Sequence, residues 1–229
     1  MLPPDLQSHF AASGFAIVEE LILASELESL RREADRLLAE SPDRGGARNV
    51  LGRSLLLREL AVAGPIFEMA VAILGAGARP TKLTIFDKGP RANWKVPWHQ
   101  DLTIAVAERQ EVEGFGPWTV KGGVPHVQPP LEVLQGLLAI RLHLDDTPSE
   151  NGALRVLPGS HRRGRLSRRE IESLRQEGEE VVCPVPAGGS MLMRPLLLHA
   201  SHPSRSPSRR RVLHFELSAE ALPGGLSWA

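Results

Sequence analysis

The sequence predicts a mainly β (α+β) fold, an antiparallel sandwich with helices packed on its outside. Helical periodicity is confined largely to residues 1–78, and short apolar runs typical of strands fill residues 79–218. Twenty-one glycines and 19 prolines supply turns between those runs. Helices followed by many strands are typical of an α+β arrangement. A length of 229 residues suits one domain, and we expect a single domain over 1–229.

The N-terminal part carries most of the predicted helices. The clearest helix begins at a capping-box pattern of Ser25 and Glu28, and leucines recur after it at helical spacing. Gly14 and Gly75 follow two other helical runs, as is common at helix ends. The predicted helices cover residues 3–12, 25–40 and 63–74, with a strand over 15–18 and a loop over 41–48.

After residue 79 the pattern changes to short apolar runs separated by turn residues. One further helix is expected over 168–176. The segment 108–130 contains several glycines and prolines without clear periodicity, which is typical of a functional or mobile loop. The predicted strands cover residues 82–86, 98–101, 137–145, 154–157, 181–185, 190–193, 196–201 and 211–217.

Composition argues against several classes of protein. Lys plus Arg equals Asp plus Glu at 27 each, so net charge favours neither nucleic acid nor a membrane surface as a partner. The sequence shows no signal-peptide pattern and no run of 18 apolar residues. The single cysteine, Cys183, cannot form an internal disulfide, and we expect a cytoplasmic protein.

The segment Trp98-His99-Gln100-Asp101 carries the first candidate chemistry. Side chains alternate between the two faces of a strand, so His99 and Asp101 share one face and Gln100 has the other. An imidazole beside a carboxylate supplies two of the three ligands in the 2-His-1-carboxylate triad that holds non-haem Fe(II). Alone, the pair fits a simple hydrogen bond equally well, so a second histidine is required.

A histidine inside an apolar strand is the candidate for that second ligand. Leu196-Leu197-Leu198 precedes His199, and burying an imidazole costs free energy unless its nitrogens have partners. A core histidine bonded to a backbone carbonyl is the alternative. His202, beside Pro203, is expected in a solvent-exposed loop.

A second pair with the same spacing, His143 and Asp145, competes for the role of metal site. Asp145 begins a plausible turn, which would place it at the end of a strand, so the first pair is favoured. The remaining histidines are expected on a surface helix (His9), in a turn (His161) and in the core (His214).

Four motifs occur in a characteristic order along the chain. They are Trp98-His99-Gln100-Asp101, Glu150-Asn151-Gly152-Ala153-Leu154, Leu157-Pro158-Gly159-Ser160-His161, and His199-Ala200-Ser201 with Arg210 eleven residues after that histidine. Together they resemble the phytanoyl-CoA dioxygenase family of Fe(II)/2-oxoglutarate-dependent oxygenases, over roughly residues 80–217. The resemblance implies a double-stranded β-helix, a cupin-like jelly roll, with the N-terminal helices packed on the outside.

The resemblance also implies roles for individual residues. The implied iron ligands are His99, Asp101 and His199. Arg210 would bind the far carboxylate of 2-oxoglutarate with help from the Ser201 hydroxyl, and a guanidinium fork suits a carboxylate. Strand alternation gives Arg210 and Arg211 opposite faces without selecting the inward one. The family spacing selects Arg210.

The sequence departs from the family pattern at three positions. Ser204 stands where an asparagine is common, and Gly189-Ser190 stands where Gly-Asp is common. Arg141 stands where some relatives carry an aromatic residue, so it is a candidate contact of 2-oxoglutarate or of substrate. Thr84, on the strand predicted over 82–86, is a further candidate for the cosubstrate pocket.

The resemblance implies a dioxygenase that uses Fe(II), 2-oxoglutarate and O2 to hydroxylate a small molecule, releasing succinate and CO2. Halogenases of this kind usually lack the carboxylate ligand, so Asp101 favours hydroxylation. Two alternatives stay open: a non-oxidative cupin-like metal protein, such as an isomerase or a sensor, and an inactive jelly-roll binding module.

Substrate contacts are expected from the segment 108–130 and from the approach to His99. The candidates are Lys95, Trp98, Trp118, Lys121 and His126. The arginine-rich run 205–211 is expected to be a solvated turn rather than a nucleic-acid patch.

Overall fold

The computed structural model of the chain describes residues 3–41, 45–89, 92–206 and 208–229. Within these ranges the helices are α1 Pro4–Ser13, α2 Ala24–Ala39, α3 Leu55–Val62, α4 Pro65–Leu74, α5 Leu131–Gln135 and α6 Arg168–Glu177. The strands are β1 Phe15–Val18, β2 Gly46–Ala47, β3 Arg79–Lys88, β4 Val96–His99, β5 Ile104–Ala105, β6 Trp118–Lys121, β7 Val124–Val127, β8 Leu137–His143, β9 Leu154–Val156, β10 Val181–Cys183, β11 Ser190–Met193, β12 His199–Ser201 and β13 Arg210–Ser218.

The strands form three antiparallel sheets. The largest has the order β1-β11-β8-β13-β3-β2, the second has the order β10-β9-β12-β4, and the third has the order β5-β7-β6. The first two sheets face each other, because one apolar cluster takes its members from β8 and β11 on one side and from β9 and β10 on the other. This arrangement confirms the predicted jelly-roll fold.

The N-terminal helices pack against the outer face of the six-stranded sheet, as expected. Leu138, Ile140 and Leu142 of β8 join the core that contains buried residues of α2, α3 and α4. The alternate residues Arg141 and His143 face the second sheet. Both faces of β8 are therefore buried, which explains why its apolar residues lie on both faces of the strand rather than alternating with exposed polar ones.

The N-terminal elements differ in detail from those predicted. The helix predicted over 63–74 begins at Pro65, because Gly64 precedes it and proline suits the first helical position. The separate helix α3 was not predicted, although Ser54 caps it by accepting a hydrogen bond from the Leu57 N–H at 3.2 Å. Residues 42–44 of the loop predicted over 41–48 lie outside the described residues, and Gly46–Ala47 is strand β2.

The capping pattern predicted for α2 is displaced by two residues. The helix begins at Ala24, and the backbone N–H of Leu23 donates to Glu26 Oε2 at 3.3 Å. Ser25 and Glu28 therefore lie inside the first turns rather than at the cap.

The segment predicted as a loop over 108–130 contains a β-hairpin, so that prediction was wrong. Strands β6 and β7 pair with each other, and β5 pairs with β7. Gly122 and Gly123 make the turn with φ angles of 57° and 78°, a left-handed conformation that favours glycine.

In the described parts of the chain, no helix is both long and apolar enough to cross a membrane.

Candidate active site

Strand pairing brings the two distant histidines together. His199 on β12 lies directly opposite His99 on β4, and the ring centroids are 4.2 Å apart. Asp101 follows β4, and its backbone N–H donates to the Pro195 carbonyl at 2.9 Å. Its carboxylate oxygens lie 3.7 Å from Nε2 of His99 and 3.8 Å from Nε2 of His199. The three possible ligand atoms lie within 4.8 Å of one another, so one cation can contact all of them.

Both histidines have the tautomer that a metal ligand needs. Nδ1 of His99 lies 2.9 Å from the Pro97 carbonyl, and Nδ1 of His199 lies 2.8 Å from the Leu197 carbonyl. A carbonyl oxygen only accepts hydrogen bonds, so each Nδ1 carries the proton and each Nε2 keeps its lone pair for a cation. Burial lowers the pKa of His199 to about 4, so its imidazole is neutral near pH 7.

The carboxylate of Asp101 is held in its charged form. Burial acts to raise its pKa, but the neighbouring imidazoles, His199 foremost, outweigh burial and the net pKa is below the usual range. A charged carboxylate beside two imidazole nitrogens is the donor set that suits non-haem Fe(II).

Gln100 points away from the other two side chains, as strand alternation predicts, and anchors this segment. Its amide nitrogen donates to the carbonyls of Gly164 at 2.8 Å and Leu196 at 2.7 Å. Its amide oxygen accepts from the Leu166 N–H at 2.8 Å. The segment that carries His99 is therefore fixed from the opposite face.

The three candidate ligands line a cavity of about 230 Å³ between the two facing sheets. Alternate residues of β13 reach it: Arg210, His214 and Glu216 line the cavity. Arg211 instead pairs with Asp145 on the other face. His214 was expected only in the core; it is buried, but it also forms part of the cavity wall.

Arg210 lies at one end of the cavity without a carboxylate partner in the described part of the chain. Its side chain donates to the Gly152 carbonyl, and its Nε has no hydrogen-bond partner among the described residues. Only 3% of Arg210 is exposed, and burial, followed by the charge of Arg141, lowers its pKa to about 9. A buried guanidinium without a counter-charge is costly, so this end of the cavity favours an anion.

A second buried cation stands beside Arg210. Lys88 lies opposite Arg210 in the register of β3 and β13 and is fully buried. Its Nζ donates to Ser201 Oγ at 3.0 Å and to the His202 carbonyl at 2.9 Å. Burial, then the charges of Arg210 and Arg141, lower its pKa to about 7. The sequence reasoning missed this residue.

Arg141 occupies the middle of the cavity wall and is 7% exposed. Its guanidinium lies 5.3 Å from the centre of the Phe86 ring, and Nη1 is 3.0 Å from Nδ1 of His214. Burial lowers the pKa of Arg141 to about 10. The hydroxyl of Thr84, also in the wall, is buried without a hydrogen-bond partner among the described residues.

The opposite end of the cavity contains a paired carboxylate and a further lysine. Glu216 forms an ion pair with Lys82 across β13 and β3. The hairpin brings Lys121 to the same region, where its Nζ donates to Thr103 Oγ1 at 2.8 Å. Burial, then the charges of Lys82 and Arg48, lower the pKa of Lys121.

Comparison with known proteins decides the family. The sequence matches the phytanoyl-CoA dioxygenase (PhyH) family over residues 10–212. The chain belongs to the PhyH family. The search of curated proteins found no match.

Solved structures share the fold of this PhyH-family chain. The non-heme alpha ketoglutarate dependent carbocyclase SnoK from nogalamycin biosynthesis has a TM-score of 0.74 at 17% identity, covering 95% of this chain and 84% of SnoK. The epimerase SnoN in complex with Fe3+, alpha ketoglutarate and nogalamycin RO has a TM-score of 0.71 at 19% identity, covering 96% of this chain and 90% of SnoN. EctD from S. alaskensis with bound Fe has a TM-score of 0.75 at 18% identity, covering 95% of this chain and 76% of EctD.

Four of the five substrate candidates lie away from the cavity of the PhyH-family chain. Lys95 is exposed, and the Trp98 ring lies 5.2 Å from the guanidinium carbon of Arg155 on the outside. Trp118 packs in the apolar cluster of the third sheet. His126 is buried with Nδ1 at 3.0 Å from the Val124 carbonyl, not in the cavity wall. Only Lys121 reaches the cavity.

The competing histidine–carboxylate pair has other partners. Nδ1 of His143 lies 2.8 Å from Thr147 Oγ1. Asp145 forms an ion pair with Arg211 at 2.7 Å, so it is already neutralised. The described groups capable of holding a metal ion are therefore the triad and not this pair.

The arginine-rich run 205–211 is less solvated than expected. Arg209 pairs with Asp87 at 2.8 Å and with Asp35 at 2.6 Å, and Arg211 pairs with Asp35 at 3.1 Å. Residue 207 lies outside the described residues. These ion pairs tie β13 to α2 and leave Arg210 as the inward-facing member of the run.

Proposed function

We propose that this chain is an Fe(II)- and 2-oxoglutarate-dependent dioxygenase that hydroxylates a small molecule and releases succinate and CO2. The convergence of His99, Asp101 and His199 on one cation-sized space, beside a cavity end lined by Arg210 with the buried Lys88 next to it, carries this proposal. Two structural relatives support it, since SnoN was solved with Fe3+ and alpha ketoglutarate, and EctD was solved with bound Fe.

In this proposal the triad holds iron through the two Nε2 atoms and the Asp101 carboxylate. Bound iron would supply the activation of O2 and the oxidation of an unreactive C–H bond. The chain supplies the geometry: Nδ1 of each histidine is held by a backbone carbonyl, and Gln100 fixes the ligand segment from behind.

Arg210 and Lys88 bind the far carboxylate of 2-oxoglutarate. Both are buried, both have pKa values lowered by burial, and neither has a carboxylate partner in the described chain. An incoming carboxylate would relieve both unpaired charges, and the guanidinium fork offers it directed hydrogen bonds. Ser201 stands between the Lys88 ammonium and the triad, where its hydroxyl can orient the same carboxylate.

Excluding water is the second task of the chain. The cavity lies between two packed sheets, and His199 is 4% exposed, whereas the side chains of His99 and Asp101 are 37% and 38% exposed. The side of the site that carries His199 is therefore shielded from water, which strengthens electrostatic contacts to anions there, and a bound substrate would cover the exposed side of His99 and Asp101.

Turnover of 2-oxoglutarate tests the metal site. Wild-type protein with Fe(II) should release succinate and CO2, and His199→Ala should lose this release because one ligand is gone. His202→Ala is the matched control, since His202 is exposed and its side chain does not line the cavity. Release that persists under iron chelation, or that survives in His199→Ala, would refute the proposal.

Cosubstrate binding tests the cationic end separately. Arg210→Met should weaken 2-oxoglutarate binding to the Mn(II)-bound protein by about 100-fold or more, since removing one partner of a buried charge pair costs about 3–5 kcal/mol. Arg205→Met, at an exposed arginine of the same run, should leave the affinity unchanged. Isothermal titration calorimetry measures both.

The reaction outcome after C–H oxidation has a second candidate. SnoN is an epimerase and SnoK is a carbocyclase, so a similar fold serves outcomes other than hydroxylation. Mass spectrometry of the product distinguishes them, because hydroxylation adds one oxygen atom and epimerisation adds none.

A further inference from the structure

We propose that the substrate is a small organic acid whose carboxylate is bound by Lys121, at the end of the cavity opposite Arg210. This inference rests on the proposed function and specifies the substrate class of the same site. It depends on the position of Lys121, on its lack of a carboxylate partner among the described residues and on the charge balance of the cavity.

The register of β3 and β13 separates two ends of the cavity. Lys88 lies opposite Arg210, and Lys82 lies opposite Glu216. Lys88 and Lys82 are six positions apart along β3, which corresponds to roughly 20 Å at about 3.3 Å per residue. The charges that act on Lys121 are those of Lys82, Arg48, Asp101 and Glu216, and the register places Lys82 and Glu216 at the end away from Arg210. A diacid that joins the triad to Arg210 therefore leaves Lys121 available to another molecule.

Lys121 has unused capacity to bind an anion. Its ammonium carries three hydrogen-bond donors, and the described partner is the neutral hydroxyl of Thr103. No carboxylate of the described residues lies within ion-pair distance of Lys121, whereas the neighbouring Lys82 is paired with Glu216. Asn49 donates to the Lys121 carbonyl at 3.3 Å, which ties the hairpin to the adjoining turn and holds the lysine at the cavity.

The charge balance of the cavity favours an anionic substrate. Apart from Arg48, its described lining contains four basic side chains (Lys82, Lys121, Arg141 and Arg210) and two acidic ones (Asp101 and Glu216). Fe(II) and a 2-oxoglutarate dianion would cancel each other, so with neutral histidines these side chains leave an excess of two positive charges. Such an excess in a cavity with low-dielectric walls attracts anions.

Arg141 adds an independent observation. It is buried in the wall between the two ends, and its Nε has no hydrogen-bond partner among the described residues. Its guanidinium contributes positive potential on both sides of the triad. Apolar side chains, among them Phe86 and Leu154, line the same cavity and can contact the body of an organic acid.

The cavity limits the size of the acid. Its volume of about 230 Å³ is below the range of about 300–1,000 Å³ that is common for small-molecule sites, and 2-oxoglutarate must occupy part of it. The enclosed part of the substrate is therefore small, and one charged contact contributes a large share of its recognition.

Paired acids and amides test the inference. Wild-type protein, saturated with Mn(II) and 2-oxoglutarate without O2, is titrated with short linear, branched and aromatic monocarboxylic acids and with the primary amide of each. We expect at least one acid to bind about tenfold or more tightly than its amide, measured by calorimetry. Lys121→Gln should remove this preference and leave the 2-oxoglutarate affinity unchanged. Lys95→Gln, at an exposed lysine away from the cavity, should preserve the preference.

Three results would overturn the inference: amides that bind as tightly as acids, a panel in which no acid binds, or a Lys121→Gln protein that keeps the preference. Failure of the wild-type protein to bind Mn(II) and 2-oxoglutarate would instead count against the proposed function. In that case the same acid and amide pairs, titrated into the metal-free protein, still decide the role of Lys121.

Discussion

Replacing Lys88 by methionine should stabilise the protein below about pH 7 when metal and 2-oxoglutarate are absent. Lys88 is fully buried, its Nζ donates only to Ser201 Oγ and to the His202 carbonyl among the described residues, and no carboxylate there balances its charge. Burial, then Arg210 and Arg141, lower its pKa from 10.5 to about 7. Methionine retains much of the side-chain volume and carries no charge.

The pKa shift of Lys88 sets the size of the expected change in the free energy of unfolding. The interval from 10.5 to about 7 corresponds to about 5 kcal/mol, at about 1.4 kcal/mol for each pKa unit, as the cost of a protonated Lys88 in the folded protein. The variant also loses two hydrogen bonds, worth about 1 kcal/mol each. The net increase in the free energy of unfolding is therefore about 3 kcal/mol at pH 6.

The sign of the effect depends on pH. Between pH 7 and 10.5 the unfolded chain binds the Lys88 proton and the folded chain does not, so the stability of the wild type rises with pH in this window. The advantage of Lys88→Met shrinks accordingly. Near pH 9 it should vanish, because only about 2 kcal/mol of the charge cost remains against the two lost hydrogen bonds.

Urea unfolding at pH 6 and pH 9, in the presence of a chelator and without 2-oxoglutarate, measures the difference. Lys95→Met, at an exposed lysine, is the matched control and should show no comparable pH dependence. A Lys88→Met protein that is less stable than the wild type at pH 6, or a difference that is equal at both pH values, would refute the reasoning. The same variant should bind 2-oxoglutarate more weakly once Mn(II) is present.

Two further substitutions test how the site is held. Gln100→Leu leaves two carbonyls and one N–H without their partner and should lower the free energy of unfolding by about 2–4 kcal/mol in urea titrations, whereas Gln110→Leu, at an exposed position, should have little effect. Gly46→Ala would place a Cβ against the Ile85 carbonyl oxygen, so β2 must move away from β3. We expect the free energy of unfolding to fall by about 2 kcal/mol and Tm to fall by several degrees. Gly52→Ala, where an added Cβ meets nothing within 4 Å, is its control, and an equal loss in both alanine variants would contradict this explanation.

Strands buried on both faces were predicted well from the sequence. β8 is mostly apolar, and in β13 the apolar residues Leu213, Phe215 and Leu217 alternate with polar ones; this alternation gives Arg210 and Arg211 opposite faces, as the structure shows. The convergence of His199 with His99 could not be derived from local pattern, because it depends on pairing between strands 100 residues apart. The family resemblance supplied that long-range information.

Charged residues in and beside the cavity were harder to predict. Lys88 and Glu216 look like surface residues in the sequence, since charged side chains are rarely buried. Continuing the alternation of β3 from Thr84 would have placed Lys88 on the inward face. The hairpin of β6 and β7 was missed because its short strands are mostly polar or half-exposed, and their stability depends on pairing with each other and with β5.

The position of β4 at the margin of its sheet has a consequence for stability. β4 pairs with β12 alone in the order of that sheet, and a bulge interrupts their register between His199 and Ser201. A metal ion bound by both His99 and His199 would cross-link the edge strand β4 to the interior strand β12. Metal occupancy and resistance of the 96–99 backbone to hydrogen exchange should therefore rise and fall together.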